Sequence, residues 1–163
     1  MFACGDGGVF VRSSNGGATW TNSTVDSSIY LHGIWGRSPN ELYLVGFKGD
    51  HGVILHSSDG GSSWSQQSTQ KKILWGVWGN EQRVYASSPT HAVYSTSDGQ
   101  SWLQQSQTVG GVRMWGSGPN DVYALNNDGL AHSDDQGTSW QTVVLPVANL
   151  NLFDIWGSGA RDV

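Results

Sequence analysis

Short runs of alternating apolar residues recur along the chain and are separated by small polar residues. Examples are ELYLV at 41–45, GVILH at 52–56 and DVYAL at 121–125. Short runs rich in β-branched and aromatic side chains, bounded by Gly, Asn, Asp and Ser, predict strands joined by tight turns. No stretch of the sequence places apolar residues at the helical spacing i, i+3, i+4, i+7. The pattern therefore predicts an all-β protein.

Two sets of tryptophans alternate along the chain at a common spacing. Each member of the first set is followed by glycine (Trp35, Trp78, Trp115 and Trp156), and the second set is Trp20, Trp64, Trp102 and Trp140. Both sets recur about every 40 residues, and a repeat of that length made of short strands is typical of the four-stranded blade of a β-propeller. The sequence therefore predicts a β-propeller with about four blades.

The clearest copy of the repeat lies at 29–72. We expect its strands A to D at 30–36, 41–46, 52–57 and 62–68. The other units are predicted at 1–28 (strands B to D), 73–110, 111–149 and 150–163 (strand A and the start of strand B). Residues 1–163 are then one propeller domain or half of one. The Trp-Gly pairs lie in strand A, the innermost strand, so a further strand A is expected at 152–157.

The second tryptophan set closes a motif that occurs four times. The copies are RSSNGGATW (12–20), HSSDGGSSW (56–64), STSDGQSW (95–102) and HSDDQGTSW (132–140). They resemble the Asp box, S-x-D-x-G-x-x-W, of bacterial neuraminidase repeats and related propellers. The positions that carry the resemblance are Ser13, Asn15, Gly17 and Trp20; Ser57, Asp59, Gly61 and Trp64; Ser95, Gly99 and Trp102; and Ser133, Asp135, Gly137 and Trp140. In the third copy Asp98 stands one residue later than the motif requires.

The resemblance implies that the motif closes the turn between strands C and D and has a structural role. A carboxylate or amide at the Asp position can accept backbone N–H groups, as in an Asx turn, and Gly supplies a positive φ. The tryptophan covers the turn with a large apolar face. The segment WGSGPNDVY at 115–123 also resembles repeats of secreted or surface bacterial propellers, which implies an extracytoplasmic location.

Composition argues against several classes of function. Eight Lys and Arg against 13 Asp and Glu give a net charge of −5, whereas a nucleic-acid surface needs clustered cations. No apolar run is long enough to span a bilayer, and MFACGDGG at the start lacks the pattern of a signal peptide. Cys4 is the only cysteine in the sequence, so an intrachain disulfide is excluded.

The resemblance raises the hypothesis of a sialidase-like glycosidase. Such an enzyme needs arginines that converge on a carboxylate, a tyrosine nucleophile with a glutamate partner, and an acid/base aspartate. The five arginines occupy different positions in their repeats and are not expected to converge; they are Arg12, Arg37, Arg83, Arg113 and Arg161. We therefore expect no enzyme, with a remnant or fragment of a glycoside hydrolase propeller as the alternative.

The candidate ligand residues lie in the loops between strands B and C. His51 and His91 are repeat equivalents, since HGV at 51–53 aligns with HAV at 91–93. Asp50 precedes His51, and Asn126 and Asp128 belong to an N-N-D-G turn. These residues are either exposed loop positions or contacts to a ligand. Neither an H-E-x-x-H motif nor the oxygen ligands of an EF-type loop occur, so no metal and no cofactor is predicted.

The B–C and D–A loops are rich in Gln, Ser, Asn, Thr and Gly, which suits contacts with a glycan or a protein. They supply no pair of nucleophile and base for covalent catalysis. The sequence therefore predicts a recognition or scaffold module that binds through this face of the propeller.

The two ends of the chain complement each other in the repeat. Residues 1–5 align with strand B, and residues 152–157 align with strand A. Because an open arc leaves unpaired strand edges, we expect the ring to close. Closure within one chain gives four blades, closure between two chains gives an eight-bladed homodimer, and a longer propeller would supply covalent neighbours. Of these, we favour the homodimer.

Overall fold

The computed structural model describes residues 1–106, 109, 111–126, 129–146 and 152–159. Within these residues the chain forms fifteen strands and a single turn of 3-10 helix at Asp6–Gly8. The strands are β1 Phe2–Gly5, β2 Val9–Arg12, β3 Thr21–Thr24, β4 Tyr30–Gly36, β5 Leu42–Lys48, β6 His51–Ser57, β7 Ser65–Gln70, β8 Gly76–Gly79, β9 Val84–Ser88, β10 Ala92–Thr96, β11 Leu103–Ser106, β12 Arg113–Gly118, β13 Asp121–Asn126, β14 Gly129–Ser133 and β15 Gln141–Val143. The predicted all-β class is confirmed.

The strands form four antiparallel sheets in which each strand pairs with the next one along the chain. Sheet I contains β1 to β3, sheet II β4 to β7, sheet III β8 to β11 and sheet IV β12 to β15. Sheets II to IV are the four-stranded units that the repeat predicts, with strands A to D in chain order. Sheet I consists of strands B to D.

The chain divides into two compact units, each with its own core. The first unit, Met1–Leu74, holds sheets I and II, and the second, Trp75–Val163, holds sheets III and IV. One buried core cluster of the first unit contains Phe10, Ile29, Leu31, Leu42, Leu44, Val53 and Leu55. A core cluster of the second unit contains Tyr85, Val93, Met114, Val122 and Ala124.

The middle strands of sheets II and III are buried on both faces over most of their length. All residues of β9 and β10 are buried, and so are residues 42–46 of β5, whereas all four residues of β3 are exposed. A strand with one covered face alternates between buried and exposed residues, so continuous burial means that both faces are covered. Strands B and C therefore carry most of the apolar sequence of each repeat.

Each Trp-Gly pair of sheets II to IV lies in the first strand, opposite a tyrosine of the second strand. The separations between ring centroids are 6.2 Å for Trp35 and Tyr43, 5.8 Å for Trp78 and Tyr85, and 6.0 Å for Trp115 and Tyr123. Because a shift by one residue would move these rings to opposite faces of the sheet, the pairs help to fix the register.

Two predicted elements differ from the structure. Strand D of sheet II begins at Ser65 rather than at residue 62, because Asp59 Oδ1 accepts the N–H of Ser63 at 2.9 Å and keeps that residue in the turn. The strand predicted at 152–157 is wrong for the described part of the chain: these residues form no ladder, and Phe153 and Trp156 are 79% and 75% exposed. A ladder there needs a following strand B, and residues 160–163 lie outside the described residues.

Candidate functional site

The turn between β6 and β7 is closed by a relay of hydrogen bonds among the motif residues. Ser57 Oγ accepts the backbone N–H of Gly61 at 2.8 Å and donates to Asp59 Oδ1 at 2.8 Å. Asp59 also accepts the N–H and the hydroxyl of Ser63, at 2.9 and 2.6 Å. Gly61 has a φ of +88°, and an added Cβ would lie 2.3 Å from the ring of Phe10. Both the positive φ and the lack of space for a Cβ atom therefore require glycine at position 61.

The turns after β2 and β14 repeat this relay. The N–H groups of Gly17 and Gly137 donate to the hydroxyls of Ser13 and Ser133, each at 2.8 Å. In the first of these turns the side-chain oxygen of Asn15 accepts the Thr19 N–H at 2.9 Å. In sheet I the amide oxygen of Asn15 therefore accepts the hydrogen bond that a carboxylate oxygen accepts in the equivalent turns.

The tryptophans that end the motif do not share one hydrogen-bonding pattern. Trp20 and Trp140 donate Nε1–H to the carbonyls of Gly17 and Gly137, each at 3.0 Å. Trp64 instead packs edge-on against Phe10 at 5.2 Å, and its buried Nε1 has no acceptor among the described residues. The indole therefore covers the turn in Trp20, Trp64 and Trp140, but it donates a hydrogen bond only in Trp20 and Trp140.

The third turn uses a different hydroxyl from the predicted one. Thr96 Oγ1 accepts the N–H of Gly99 at 3.0 Å and donates to Asp98 Oδ1 at 2.8 Å. Asp98 also accepts the N–H groups of Ser101 and Gln100 at 2.7 and 2.8 Å, and these bonds lower its pKa. Asp98 thus occupies the Asp position of this turn.

Ser95 is therefore wrongly assigned to the motif. Counting back from Trp102 misplaces the hydroxyl, because this hairpin is one residue shorter between the acid and the tryptophan. Ser95 is buried and accepts a hydrogen bond from Arg83 Nη1 at 3.3 Å. Its counterparts in the other copies are the residues before the motif serine, which are Arg12, His56 and His132.

Hydrogen bonds to the motif carboxylates favour their ionised form. The hydroxyl and N–H of Ser139, followed by the hydroxyl of Ser133, lower the pKa of Asp135 to about 2. Ser63 and then Ser57 lower the pKa of Asp59 in the same way. A general acid needs the opposite shift, since it must hold a proton near neutral pH. These carboxylates are suited to accept hydrogen bonds in the turns and not to donate protons.

A cluster in sheet IV has the residue types of a catalytic triad in a different arrangement. Asp121 Oδ1 lies 2.7 Å from His132 Nε2, and Oδ2 of the same carboxylate accepts the hydroxyl of Ser117. The His132 ring stacks on Tyr123 at 4.4 Å. In a triad the histidine lies between serine and aspartate and takes the serine proton. Here the aspartate lies between the other two, so Ser117 is not paired with the imidazole that would activate it.

The predicted ligand residues lie at the turns between the second and third strands of the sheets. His51 opens β6, and its Nδ1 pairs with the carboxylate of the exposed Asp50. His91 lies in the turn between β9 and β10 with a φ of +58°. Asn126 ends β13, and Asp128 lies outside the described residues. His51 and His91 belong to different units, so a shared contact with one ligand stays a prediction.

An aromatic stack that the sequence analysis missed lies at the same end of sheet II as His51. Tyr30, the first residue of β4, stacks on Phe47 of β5 with ring centroids 5.0 Å apart and an interplanar angle of 8°. His32 stacks on the same Phe47 at 5.4 Å and 18°. Tyr30 is 47% exposed. The Tyr30–Phe47–His32 stack thus offers nearly parallel rings at the protein surface.

An ion pair lies at the same end of sheet II. Asp26, in the loop between β3 and β4, accepts Lys48 Nζ at 3.0 Å through Oδ2, and Lys48 directly follows Phe47. The other oxygen of Asp26 accepts the hydroxyl and the N–H of Ser28. The bonds from Ser28, followed by that from Lys48, lower the pKa of Asp26 to about 2. Successive side chains of a strand point to opposite faces, and Phe47 and Lys48 are consecutive in β5. The ion pair therefore lies at the same end of sheet II as the rings but on its other face.

The repeat contains one signal that could have pointed to the stack. Five residues before the tryptophan of Trp-Gly, sheet II has Tyr30, whereas the next two repeats have Ile73 and Gly110. An aromatic residue that the repeat does not require suggests a role outside the common fold. Its partner could not be read from the sequence, because the register shifts between Leu31 and Gly33.

In the described residues, no group of three or more His, Cys, Asp or Glu could hold a metal ion. No helix within the described ranges is long and apolar enough to cross a membrane.

Four-stranded antiparallel sheets with Trp-Gly first strands, repeated about every 40 residues, define the chain as a β-propeller protein. The family model of the DUF6242 beta propeller domain matches residues 76–158. This match covers just over half of the chain, which belongs to that family. Comparison with curated proteins gives no match.

Solved propeller structures have the same fold. An ancestral GH74 enzyme is similar with a TM-score of 0.69 and 18% identity, over 90% of this chain and 22% of its own. YCF48 from Cyanidioschyzon merolae is similar with a TM-score of 0.67 and 17% identity, over 90% of this chain and 53% of its own. YCF48 bound to D1 peptide is similar with a TM-score of 0.61 and 17% identity, over 71% of this chain and 40% of its own. This chain thus spans about half or less of each structure, and at these identities the likeness shows the fold alone.

Proposed function

We propose that this domain is a non-catalytic recognition module that binds a segment of another protein through the Tyr30–Phe47–His32 stack. The observation that carries the proposal is the exposure of Tyr30 on a stack of three nearly parallel rings. Aromatic side chains are enriched at interfaces, where they contribute large contact areas with few rotatable bonds. Among the structural neighbours, YCF48 is bound to a peptide, which supports a ligand of this class.

Charged groups at the same end of sheet II suit a peptide ligand that reaches the sheet end. The Asp26 carboxylate and the Lys48 ammonium group form one pair, and Asp50 and His51 form a second. A peptide backbone presents both N–H donors and carbonyl acceptors, so a carboxylate and an ammonium group can each contact it. Aromatic rings and charged groups at one end of a sheet provide the two kinds of contact that protein interfaces combine.

Two observations support a module without catalysis. The described aspartates with a displaced pKa are all shifted downwards by hydrogen bonds, whereas glycoside hydrolysis needs a carboxylic acid with a raised pKa. In the Ser117 cluster the aspartate lies where the histidine base would be needed. The alternative is a remnant of a glycoside hydrolase propeller. We expect no turnover on a panel of fluorogenic glycosides, and turnover of any of them would overturn the non-catalytic proposal.

A glycan is the second candidate ligand. The apolar face of a sugar ring can stack on an exposed aromatic ring, and Tyr30 provides such a ring. The same surface thus serves both ligand classes, and a direct binding experiment distinguishes them.

The experiment compares wild type with Tyr30→Ala on a peptide array and on a glycan array. We expect binding to peptides that Tyr30→Ala loses. The control is Leu103→Ala, which removes a 64% exposed apolar side chain from β11 of the other unit and should bind like wild type. Glycan binding lost in Tyr30→Ala would favour the second candidate. Binding that Tyr30→Ala leaves unchanged would contradict a role for the stack.

We also propose that the domain associates with a second copy of itself through sheet edges. In sheets II to IV the second strand pairs on one side with a Trp-Gly strand, whereas β1 pairs only with β2 among the described residues. Residues 152–157 carry a Trp-Gly pair, with Phe153 and Trp156 exposed. Unpaired edges readily accept another strand. Light scattering should give twice the chain mass of 17.5 kDa, and a folded monomer would contradict this proposal.

A further inference from the structure

A polar groove in the first unit, at the opposite end of sheet II from the aromatic stack, has no role in the proposed function. We propose that it binds a carboxylate group. The groove lies between β2, β3 and the turn after β6 and has a volume of about 190 Å³. Its lining includes Phe10, Arg12, Thr21, Ser23, Gly61 and Ser62. The length of β6, at about 3.3 Å per residue, separates the groove from the stack by about 20 Å.

The guanidinium group of Arg12 is held at the groove by a single hydrogen bond. Its Nη1 donates to the carbonyl oxygen of Gly60 at 3.2 Å. A guanidinium has five N–H donors, so most of them are available to a ligand. In the described part of the chain no carboxylate pairs with this half-buried cation. An anion that enters the groove can therefore pair with Arg12 without displacing an internal partner.

The base of the groove is rigid. Phe10 is 3% exposed and packs edge-on against Trp64. Gly61 lies so close to the Phe10 ring that an added Cβ would be 2.3 Å from it. This close approach fixes the turn that presents the Gly60 carbonyl to Arg12. The guanidinium is thus positioned before a ligand arrives, which lowers the entropic cost of binding.

The rest of the lining is compatible with an anion. The Ser23 hydroxyl is a neutral group that can donate a hydrogen bond, and no acidic side chain is among the lining residues. A guanidinium matches the two oxygens of a carboxylate in a planar, bidentate geometry. The groove has room for the carboxylate and the few atoms next to it, as on an acidic sugar or an acidic amino acid.

The groove is a feature of sheet I and not of the repeat. The residues equivalent to Arg12 in the other sheets are His56, Ser95 and His132. In sheet IV the equivalent His132 is already bonded to Asp121 at 2.7 Å. Since the fold forms three times without an arginine at this position, the packing of the repeat does not explain Arg12.

The test is a titration of the ¹⁵N-labelled protein with sodium acetate, D-glucuronate and N-acetyl-L-glutamate, each compared with sodium chloride at the same ionic strength. We expect saturable shifts of the amide signals of Gly60, Gly61 and Ser62. Because a charged bidentate contact is lost, Arg12→Gln should weaken binding at least about tenfold. Arg113→Gln, which changes a 45% exposed arginine in the second unit, is the matched control.

A second variant covers the case in which Arg12→Gln fails to fold. Ser23→Asp keeps Arg12 and places a negative charge in the groove, because Ser23 pairs with Phe10 and lies on the same face of sheet I as Arg12. It should also weaken binding about tenfold or more. Tighter binding of glucuronate would identify acidic sugars as the source of the carboxylate, and tighter binding of N-acetylglutamate would identify acidic peptides. Shifts that sodium chloride reproduces, or equal affinity in wild type and the folded variants, would overturn the proposal. This titration and the array experiment with Tyr30→Ala test different surfaces, so the failure of one proposal leaves the other standing.

Discussion

Replacing Ser57 by alanine removes the only hydroxyl that accepts the buried N–H of Gly61 in the structure. Ser57 is 2% exposed and Gly61 is buried, so water cannot readily replace the lost acceptor. A buried donor left without a partner costs about 1–3 kcal/mol. For a chain of this size, each kcal/mol lowers the melting temperature by about 2–4 °C. Urea denaturation followed by tryptophan fluorescence measures the free energy of unfolding directly.

Two further variants make this prediction specific. Ser58→Ala changes the exposed neighbour on the same turn and should have almost no effect. Asp59→Ala removes an acceptor for the N–H and hydroxyl of the exposed Ser63, which water can replace, so its effect should be smaller than that of Ser57→Ala. The reasoning would be refuted if Ser57→Ala unfolded at the same urea concentration as Ser58→Ala, or if Asp59→Ala were the more damaging change.

Three other predictions concern the same turns. The pKa of Asp135 is about 2 in the folded chain and about 3.9 when unfolded, so the stability that its carboxylate contributes is full above about pH 4 and is lost as the pH falls to about 2. The difference in melting temperature between wild type and Asp135→Ala should therefore shrink over that range. A difference that stays constant with pH would contradict this prediction. Gly61→Ala should destabilise more than Gly49→Ala, since both have positive φ but only Gly61 would clash with Phe10; equal losses of unfolding free energy would exclude the clash. Trp140→Phe should cost about 0.5–1.5 kcal/mol more than Trp64→Phe in chemical denaturation, because only Trp140 has a hydrogen bond to lose, and the reverse order would count against this.

The sheets could be predicted from the sequence because two independent markers repeat with one period. The Trp-Gly pairs locate strand A, and the turn motif locates the end of strand C, so the positions of β4, β5 and β6 follow closely. The third turn was misassigned because spacing from Trp102 cannot reveal a deletion inside the hairpin. The bonds of Asp98 and Thr96 become visible only when the backbone of the turn is known.

The candidate sites depend on contacts that no repeat encodes. Tyr30 meets Phe47 through the register of β4 and β5, which includes an irregularity next to His32. Arg12 reaches the carbonyl of Gly60 across 48 residues of sequence. Such contacts arise from the packing of one sheet against another, and a single sequence carries no direct record of that packing.

The most direct test of the central claim is to map where a ligand binds. The tightest-binding peptide of the array is titrated into ¹⁵N-labelled protein, and the shifted amide signals are located on the structure. We predict that the largest shifts fall on Tyr30, His32 and Phe47 and on their chain neighbours Leu31 and Lys48, and that Tyr30→Ala weakens the complex at least about tenfold. Shifts confined to the turns after β2, β6 and β14, with unchanged affinity in Tyr30→Ala, would contradict recognition through the aromatic stack.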